Sequence, residues 1–364
     1  MNDKQNALEI IRFGKPERVM TGIPSYSIGY HGVNHQSYDD YSLSGDGHDK
    51  PVGARWTDIW GVGWHKEYPD VMGFPKINPL ADISALRSYS WPDPDDERIC
   101  APIYKQMSAF KEKSDEAAFV EQNDGAAFAD QDELSFGRSE TSFDHCEAFP
   151  KRSEVFVVGS HRDTLWEKSY MLVGMENIMA YFFTEPNYAR EILHKIMNFQ
   201  LGIARHYINA GVDMVGLGDD MGTQRSLLFG RNIFDEFLEP EYKRIFEFYK
   251  SKNVLIDFHS CGHIEPLLET FISLGVNILN PIQATANDLS AIIRVTSGKM
   301  ALKGGISTGL LIDGTPKQIR DTVKNTINLL SKGGGYFCCP DQGMPFPPEN
   351  YSAFENAVAE FGIY

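Results

Sequence analysis

The second half of the chain alternates short apolar runs with longer segments of helical periodicity. From residue 154 onward the runs are of the buried-strand type, and most are followed by a helix. Strict alternation of this kind indicates a parallel sheet. Together with two earlier runs, eight strands are predicted, over residues 19–26, 119–122, 155–159, 213–217, 254–258, 276–280, 300–303 and 336–339.

Eight strand–helix units in 364 residues favour a (β/α)8 TIM barrel over a doubly wound sheet. We therefore expect an α/β fold in which residues 1–364 form a single barrel domain. Residues 27–80 are irregular, and the alternation over residues 56–64 predicts a hairpin. Residues 123–153 are polar and lack periodicity, which predicts one long insertion.

The irregular segment near the N-terminus is rich in histidine and tryptophan. These side chains either roof the pocket of the barrel or pack as the interior of a large loop, and both interpretations stay open. The residues concerned are His31, His35, Trp60, Trp64 and His65.

The charge of the chain argues against two classes of partner. The formal net charge is −16, and no cluster of lysine and arginine is visible. Nucleic acid and anionic membrane surfaces both need such a cluster, so neither is expected as a partner. The start of the chain does not resemble a signal peptide, and no apolar run reaches the roughly 18 residues of a membrane span. These features, with only five cysteines, predict a cytoplasmic protein without a disulfide framework.

The segment that follows the strand at 254–258 carries the strongest candidate site. Side chains alternate in an extended segment, so Asp257, His259 and Cys261 share one face. Imidazole nitrogen and thiolate sulfur suit Zn²⁺, but a third ligand has to come from elsewhere. Cys338 and Cys339 end the last strand and point to opposite faces if the strand stays regular, so at most one of them is an accessible ligand. The alternative is a small buried cysteine beside a structural histidine.

Two more polar clusters follow strand ends. Asp219 and Asp220 follow the strand at 213–217, where paired carboxylates act as acid and base or bind a polar substrate. The alternative is that one of them caps a helix and the other pairs with a basic side chain. Asp341 and Gln342 follow the last strand and offer a carboxylate and an amide, or form an ordinary turn.

Several motifs together resemble the uroporphyrinogen decarboxylase superfamily. The resemblance is carried by His259-Ser260-Cys261-Gly262, by Leu274 to Gln283 and by Gly218 to Gln224, and it covers residues 155–364 best. It implies a (β/α)8 barrel. True decarboxylases of this superfamily carry an arginine-rich motif near the N-terminus, whereas this chain has no arginine between Ser25 and His31.

The other branch of the superfamily moves methyl groups to or from a corrinoid protein, at a zinc site of His-x-Cys and a second cysteine. His259 and Cys261 match the first two ligands. At the position of the third, this chain has Gln342, so either Cys339 (or Cys338) has taken the role, or the site is incomplete, or it uses an oxygen ligand. The resemblance further implies a pocket lined by Asp219, Asp220, Gln224, Asp257, Tyr336, Asp341 and Gln342.

The resemblance thus implies a zinc-assisted methyltransferase whose corrinoid is supplied by a separate protein. The methyl donor or acceptor is a small molecule, a thiol or, in the absence of a basic cluster, a methoxylated aromatic or a methylated amine. The sequence does not fix the oligomeric state and leaves a homodimer open. Two rivals remain: a related lyase that works without metal, and a non-catalytic barrel that binds a small ligand or a corrinoid.

Overall fold

A computed structural model describes residues 1–40, 47–69, 71–123 and 149–364. The strands in these ranges are β1 (Ser25–Gly29), β2 (Arg55–Thr57), β3 (Gly63–His65), β4 (Phe74–Ile77), β5 (Phe156–Ser160), β6 (Met214–Gly218), β7 (Leu255–His259), β8 (Ile278–Ile282), β9 (Ala301–Ile306) and β10 (Tyr336–Pro340). The α-helices are α1 (Asp3–Ile11), α2 (Glu97–Asn123), α3 (Trp166–Val173), α4 (Met175–Thr184), α5 (Pro186–Ala210), α6 (Arg231–Ile233), α7 (Glu239–Ser251), α8 (Leu268–Leu274), α9 (Leu289–Thr296), α10 (Thr308–Asp313), α11 (Pro316–Leu330) and α12 (Pro348–Phe361).

Seven strands form one parallel sheet in the order β1-β5-β6-β7-β8-β9-β10. The backbone N–H of Cys338 donates to the carbonyl of Met20 at 2.8 Å, and a parallel bridge joins Met20 to Phe337. Because Met20 precedes β1 and Phe337 lies in β10, the two edges of the sheet meet. The sheet is therefore curled into a barrel with helices between its strands, as the sequence predicted.

The strand predicted at residues 119–122 is wrong, because these residues lie in the last turns of α2. Only Phe119 and Val120 are apolar in this range, and an apolar pair does not distinguish a strand from a helix end. The parallel sheet of the described residues thus has seven strands, and Met20 occupies the seam that remains. The first strand lies at the end of its predicted range and beyond it, at Ser25–Gly29.

Alternation along β7 shows how the barrel separates its two faces. Ile256 and Phe258 are buried in the large core between sheet and helices, whereas Leu255, Asp257 and His259 face the interior and keep partial exposure. The amino-terminal end of the interior is filled by α1, whose Ala7, Ile10 and Ile11 pack on residues of five strands. The polar interior residues Asp257 and His259 lie toward the carboxyl end of β7, and their partial exposure marks that end as the open one.

The N-terminal irregular segment forms a small antiparallel sheet in the order β2-β3-β4, which includes the predicted hairpin. His35 is fully buried, stacks on Trp64 with ring centroids 4.1 Å apart, and lies 3.0 Å from the Asp163 carboxylate. Trp60 is buried as well. These side chains pack as the interior of the segment, which is the second of the two interpretations offered above.

Most of the predicted insertion, residues 124–148, lies outside the described residues, so the insertion and the single-domain assignment stay predictions. Among the helices of the described ranges, none combines the length and the apolar character needed to cross a bilayer.

Candidate functional site

The carboxyl ends of β6 and β7 bring three potential ligands together. Asp220, His259 and Cys261 each offer one ligand atom, and these atoms lie within 4.8 Å of one another. The two strands are neighbours, and Gly218 pairs with His259 in their register. Asp220 and Cys261 each follow that pair by two residues, so they leave the sheet side by side. We call these three residues the Asp–His–Cys centre.

The distances within the centre are short. The Nε2 atom of His259 lies 3.4 Å from Sγ of Cys261 and 3.5 Å from Oδ1 of Asp220. The backbone N–H of Cys261 donates to the same Oδ1 atom at 2.9 Å. The side chains of His259 and Asp220 are 41% and 44% exposed, so both keep access to solvent at the barrel mouth.

A close contact between two glycines sets the position of Cys261. Gly262 has a φ of +84°, and a Cβ atom there would lie 2.3 Å from the carbonyl carbon of Gly222. The N–H of Gly222 donates to the carbonyl of Cys261 at 3.2 Å. Only residues without a side chain allow the loops after β6 and β7 to touch in this way.

Two amide side chains hold the ligands from neighbouring elements. The Oδ1 atom of Asn280, at the end of β8, lies 2.9 Å from Nδ1 of His259. The Nε2 atom of Gln342, just after β10, donates to Sγ of Cys261 at 2.8 Å. Such partners orient metal-binding side chains and tune their basicity. Asn280 was part of a motif in the sequence but was not assigned a role; its position at a strand end next to the histidine strand was the available signal.

The electrostatics of the centre favour an ion pair beside a thiol. Burial acts to lower the pKa of His259, but hydrogen bonding to Asp220 and to Cys261 outweighs it and raises that pKa well above its usual value. Burial acts to raise the pKa of Asp220, but His259 outweighs it and the pKa is lowered. Burial raises the pKa of the Cys261 thiol. A bound cation would replace the protons of His259 and Cys261, since metal ligands bind in their deprotonated forms.

Of the predicted zinc ligands, the structure brings His259 and Cys261 together with Asp220 and leaves out both terminal-strand cysteines. Cys338 is fully buried on the helix side of β10. Cys339 lies within β10, level with Gly305, and is not part of the group of ligand atoms. After β10 ends at Pro340, the next residues approach the centre, and Gln342 is the one that contacts Cys261.

The two carboxylates predicted as acid and base differ in their surroundings. Asp219 is fully buried and accepts hydrogen bonds from the N–H of Leu165 at 2.8 Å, from the N–H of Glu167 at 2.7 Å and from the Tyr242 hydroxyl. It joins the loop after β5 to β6 and α7, so its contacts are those of a structural carboxylate, and its catalytic role stays a prediction. Asp220 remains as the accessible carboxylate.

The residues predicted to bind substrate differ in whether they reach the barrel mouth. Tyr336 is buried, and its hydroxyl donates to the carbonyl of Gly304 at 2.8 Å, so it does not reach the barrel mouth. Asp341 is 6% exposed and accepts from the N–H of Gly305 at 3.1 Å; burial raises its pKa to about 7. Gln224 stays at the mouth, where its Oε1 atom accepts from Thr285 at 3.5 Å.

The profile described as Uroporphyrinogen decarboxylase (URO-D) matches residues 113–361. The chain belongs to the uroporphyrinogen decarboxylase family. That membership agrees with the curled parallel sheet and with a site at the carboxyl ends of its strands, where barrels of this kind carry their chemistry. No curated protein matches the chain.

Solved structures provide a further match. A methyltransferase from Methanosarcina mazei covers 99% of this chain and 99% of its own, with 16% identity and a TM-score of 0.64. At that identity the likeness shows the fold alone. A dihydropteroate synthetase (14% identity, 46% of this chain and 65% of its own) and the dihydropteroate synthase of Anaplasma phagocytophilum (16%, 56% and 74%) reach TM-scores of 0.34. Scores that low carry no argument.

Proposed function

We propose that the protein is a corrinoid-dependent methyltransferase, which moves a methyl group between a small methylated substrate and a separate corrinoid protein. The observation that carries the proposal is the Asp–His–Cys centre at the open end of the barrel. We further propose that the centre holds zinc. The reducing cytoplasm, where thiols stay reduced, is the fitting compartment.

The donor set suits zinc better than the common hard cations. Nitrogen, sulfur and oxygen ligands together match a borderline ion, whereas Mg²⁺ and Ca²⁺ take oxygen ligands almost alone. Three protein ligands with one open position are typical of catalytic zinc sites. When bound, the ion supplies Lewis acidity toward the heteroatom of the substrate. Asp220 and the thiolate of Cys261 together offset its two positive charges.

The chain's own residues define where the substrate sits. The side chains of Asp220 and His259 are partly exposed at the mouth, so a methylated heteroatom placed beside them is within reach of a corrinoid protein docked on the rim. In demethylation the bond from the methyl carbon to the heteroatom breaks. The carbon takes an electron pair from cobalt(I) of the partner, and the heteroatom leaves with the bonding pair and accepts a proton. Methyl transfer to a thiol uses the same site in the opposite direction.

The substrate class follows from the charges at the site. The sequence contains no cluster of basic residues that would bind a polyanion, and the stretch between Ser25 and His31 lacks arginine. A methoxylated aromatic compound or a methylated amine therefore fits better than a tetrapyrrole polycarboxylate. This argument also weighs against the metal-free lyase.

The direct test mixes the zinc-loaded protein with cob(I)alamin and a panel of methoxylated aromatics, methylamines and methyl thioethers. The visible spectrum reports methylcobalamin, which we expect with at least one donor and not with the Cys261→Ala variant. Release of CO₂ from a tetrapyrrole acid by the same protein would establish the lyase instead. Tight binding of a donor without methyl transfer, even to a reduced corrinoid protein, would establish a binding barrel.

A further inference from the structure

Behind the Asp–His–Cys centre, a carboxylate, an amide and an imidazole form a chain of hydrogen bonds. The Nδ2 atom of Asn280 donates to Oδ1 of Asp257, and Oδ1 of Asn280 lies 2.9 Å from Nδ1 of His259. We infer that Asn280, oriented by Asp257, is a positioning residue that fixes which nitrogen of His259 faces the centre. The inference rests on the metal site of the proposed function, but its test below separates the two.

The register of the barrel explains why these three residues meet. Asp257 and His259 lie two residues apart on β7, so their side chains project from the same face. On the neighbouring strand β8, Asn280 pairs with His259, and the N–H of Ser260 donates to its carbonyl at 2.7 Å. The side chain of Asn280 therefore bridges the two side chains of β7 within the interior of the barrel.

The chemistry of Asp257 decides the orientation of the amide. The NH₂ group of Asn280 donates to Oδ1 of Asp257, so the carbonyl oxygen of the same amide faces His259. A carbonyl oxygen only accepts, so Nδ1 of His259 has to carry a proton. The lone pair available for a cation is then on Nε2, which is the nitrogen 3.4 Å from Cys261 and 3.5 Å from Asp220.

The amide also transmits the charge of Asp257 without placing it on the ring. Hydrogen bonds in a chain polarise one another, so the carboxylate makes Oδ1 of Asn280 a stronger acceptor and Nε2 of His259 a stronger donor of electrons. An aspartate at position 280 would set a second carboxylate against Asp257, and like charges at that distance oppose ionisation. Asparagine is therefore the residue type that fits between the two. Asp257, predicted from the sequence to bind substrate, acts here through Asn280.

The test compares Asn280→Ala with the milder Asp257→Asn and with a matched control, Asn277→Ala. Asn277 also lies beside β7, where its Oδ1 atom accepts from the N–H of Ile256 at 2.8 Å, but it is far from the centre along the strand. Zinc affinity is measured by competition with a chelator. We expect Asn280→Ala to weaken zinc binding about 10- to 100-fold, Asp257→Asn to weaken it less, and Asn277→Ala to leave it unchanged.

The second readout is NMR of protein carrying ¹⁵N-labelled histidine and ¹¹³Cd in place of zinc. Coupling between cadmium and nitrogen identifies the bound ring nitrogen, which we expect to be Nε2, with a Nδ1 proton that exchanges slowly with water. In Asn280→Ala that proton should exchange fast. The Asp257→Asn variant is isosteric, so it reports on the hydrogen-bond chain of Asp257, Asn280 and His259 even if Asn280→Ala does not fold.

The two possible failures are distinguishable. Should Asn280→Ala and Asp257→Asn bind zinc as tightly as the parent and keep a slowly exchanging Nδ1 proton, the inference is overturned while the metal site stands. Should the parent protein bind no metal, the metal half of the proposed function fails. The hydrogen-bond chain is then tested in the metal-free protein. A slowly exchanging Nδ1 proton of His259 supports the inference, and a rapidly exchanging one contradicts it.

Discussion

The side-chain amide of Gln342 donates a hydrogen bond of 2.8 Å to the sulfur of Cys261, although 81 residues separate the two in the chain. The contact joins the loop after the last strand to the loop after β7 at the mouth of the barrel. Gln342 itself is held by Thr308, whose hydroxyl accepts from its N–H at 2.9 Å and donates to its carbonyl at 3.2 Å. The sulfur atom of Cys261 is thus positioned from the opposite side of the barrel.

Replacing this donor should weaken the metal site. In Gln342→Glu a carboxylate faces the Cys261 thiolate in place of an N–H group, so we expect zinc affinity to fall by about 100-fold, and by about 10-fold in Gln342→Ala. Chelator competition measures both. If both variants bound zinc as tightly as the parent protein, the amide would not support the sulfur.

The two adjacent aspartates should behave differently when each is changed to asparagine. Asp220→Asn removes a charged ligand, so we expect zinc affinity to fall by more than about 100-fold with little change in stability. Asp219→Asn disturbs a buried, fully bonded carboxylate and should lower the free energy of unfolding by about 1–3 kcal/mol, while the folded protein keeps its zinc affinity. Chelator competition and urea denaturation are applied to both variants. A loss of stability in Asp220→Asn and a loss of zinc affinity in Asp219→Asn would contradict the roles given to the two residues.

Gly262 should not tolerate a side chain. Its φ of +84° costs an alanine about 1–2 kcal/mol, and contact with Gly222 adds about 1–3 kcal/mol of overpacking. The matched control is Gly298→Ala, because Gly298 has a similar φ of +72° but nothing within 4 Å of an added Cβ atom. Urea denaturation should show the larger loss for Gly262→Ala. Only this variant should also lose zinc, so comparable effects of the two would rule out the proposed contact.

A pH-dependent contribution to stability is expected at Asp213. Its carboxylate accepts from Arg152 at 2.8 Å, lies 3.1 Å from Lys4 and accepts from the N–H of Val157 at 3.0 Å. Burial acts to raise its pKa, but Arg152, Val157 and Lys4 outweigh burial and lower it. A depressed carboxyl pKa stabilises the folded state above the unfolded pKa of about 4, and the contribution is lost as pH falls through the lower folded value.

Asp213→Asn should therefore cost about 1–2 kcal/mol at pH 7, and the difference from the parent should shrink as the pH falls below about 4. Urea midpoints measured across this range test the sign. Asp321→Asn serves as control, because Asp321 forms an exposed pair with Lys317 and should leave the midpoint nearly unchanged. A difference that grows toward low pH would contradict the ion pair.

The fold could be predicted because the strands of a parallel barrel are apolar runs of recognisable length. The error at residues 119–122 arises where this signal is weakest, because only Phe119 and Val120 are apolar there and a pair of residues carries no period of its own. The proximity of His259 and Cys261 was also predictable, because the spacing of residues along an extended segment fixes which side chains share a face.

The third ligand was not fixed by the sequence for a geometric reason. Asp220 and Cys339 both come from other strands than His259, and their depth in the barrel depends on how far each strand is staggered against the next. The structure places Cys339 within β10, and Asp220 level with Cys261. We therefore propose the oxygen ligand that the sequence left open as an alternative, and the contact of Asn280 with His259 depends on the same stagger.

X-ray absorption at the zinc edge of the loaded protein tests the central claim most directly. With Asp220, His259 and Cys261 as ligands, the spectrum should show one zinc per chain with a single sulfur at about 2.3 Å and the remaining nitrogen and oxygen ligands at about 2.0–2.2 Å. Cys261→Ala should remove the sulfur contribution. Two sulfur ligands would put Cys339 or Cys338 in the site in place of Asp220, and no bound zinc would contradict the centre altogether.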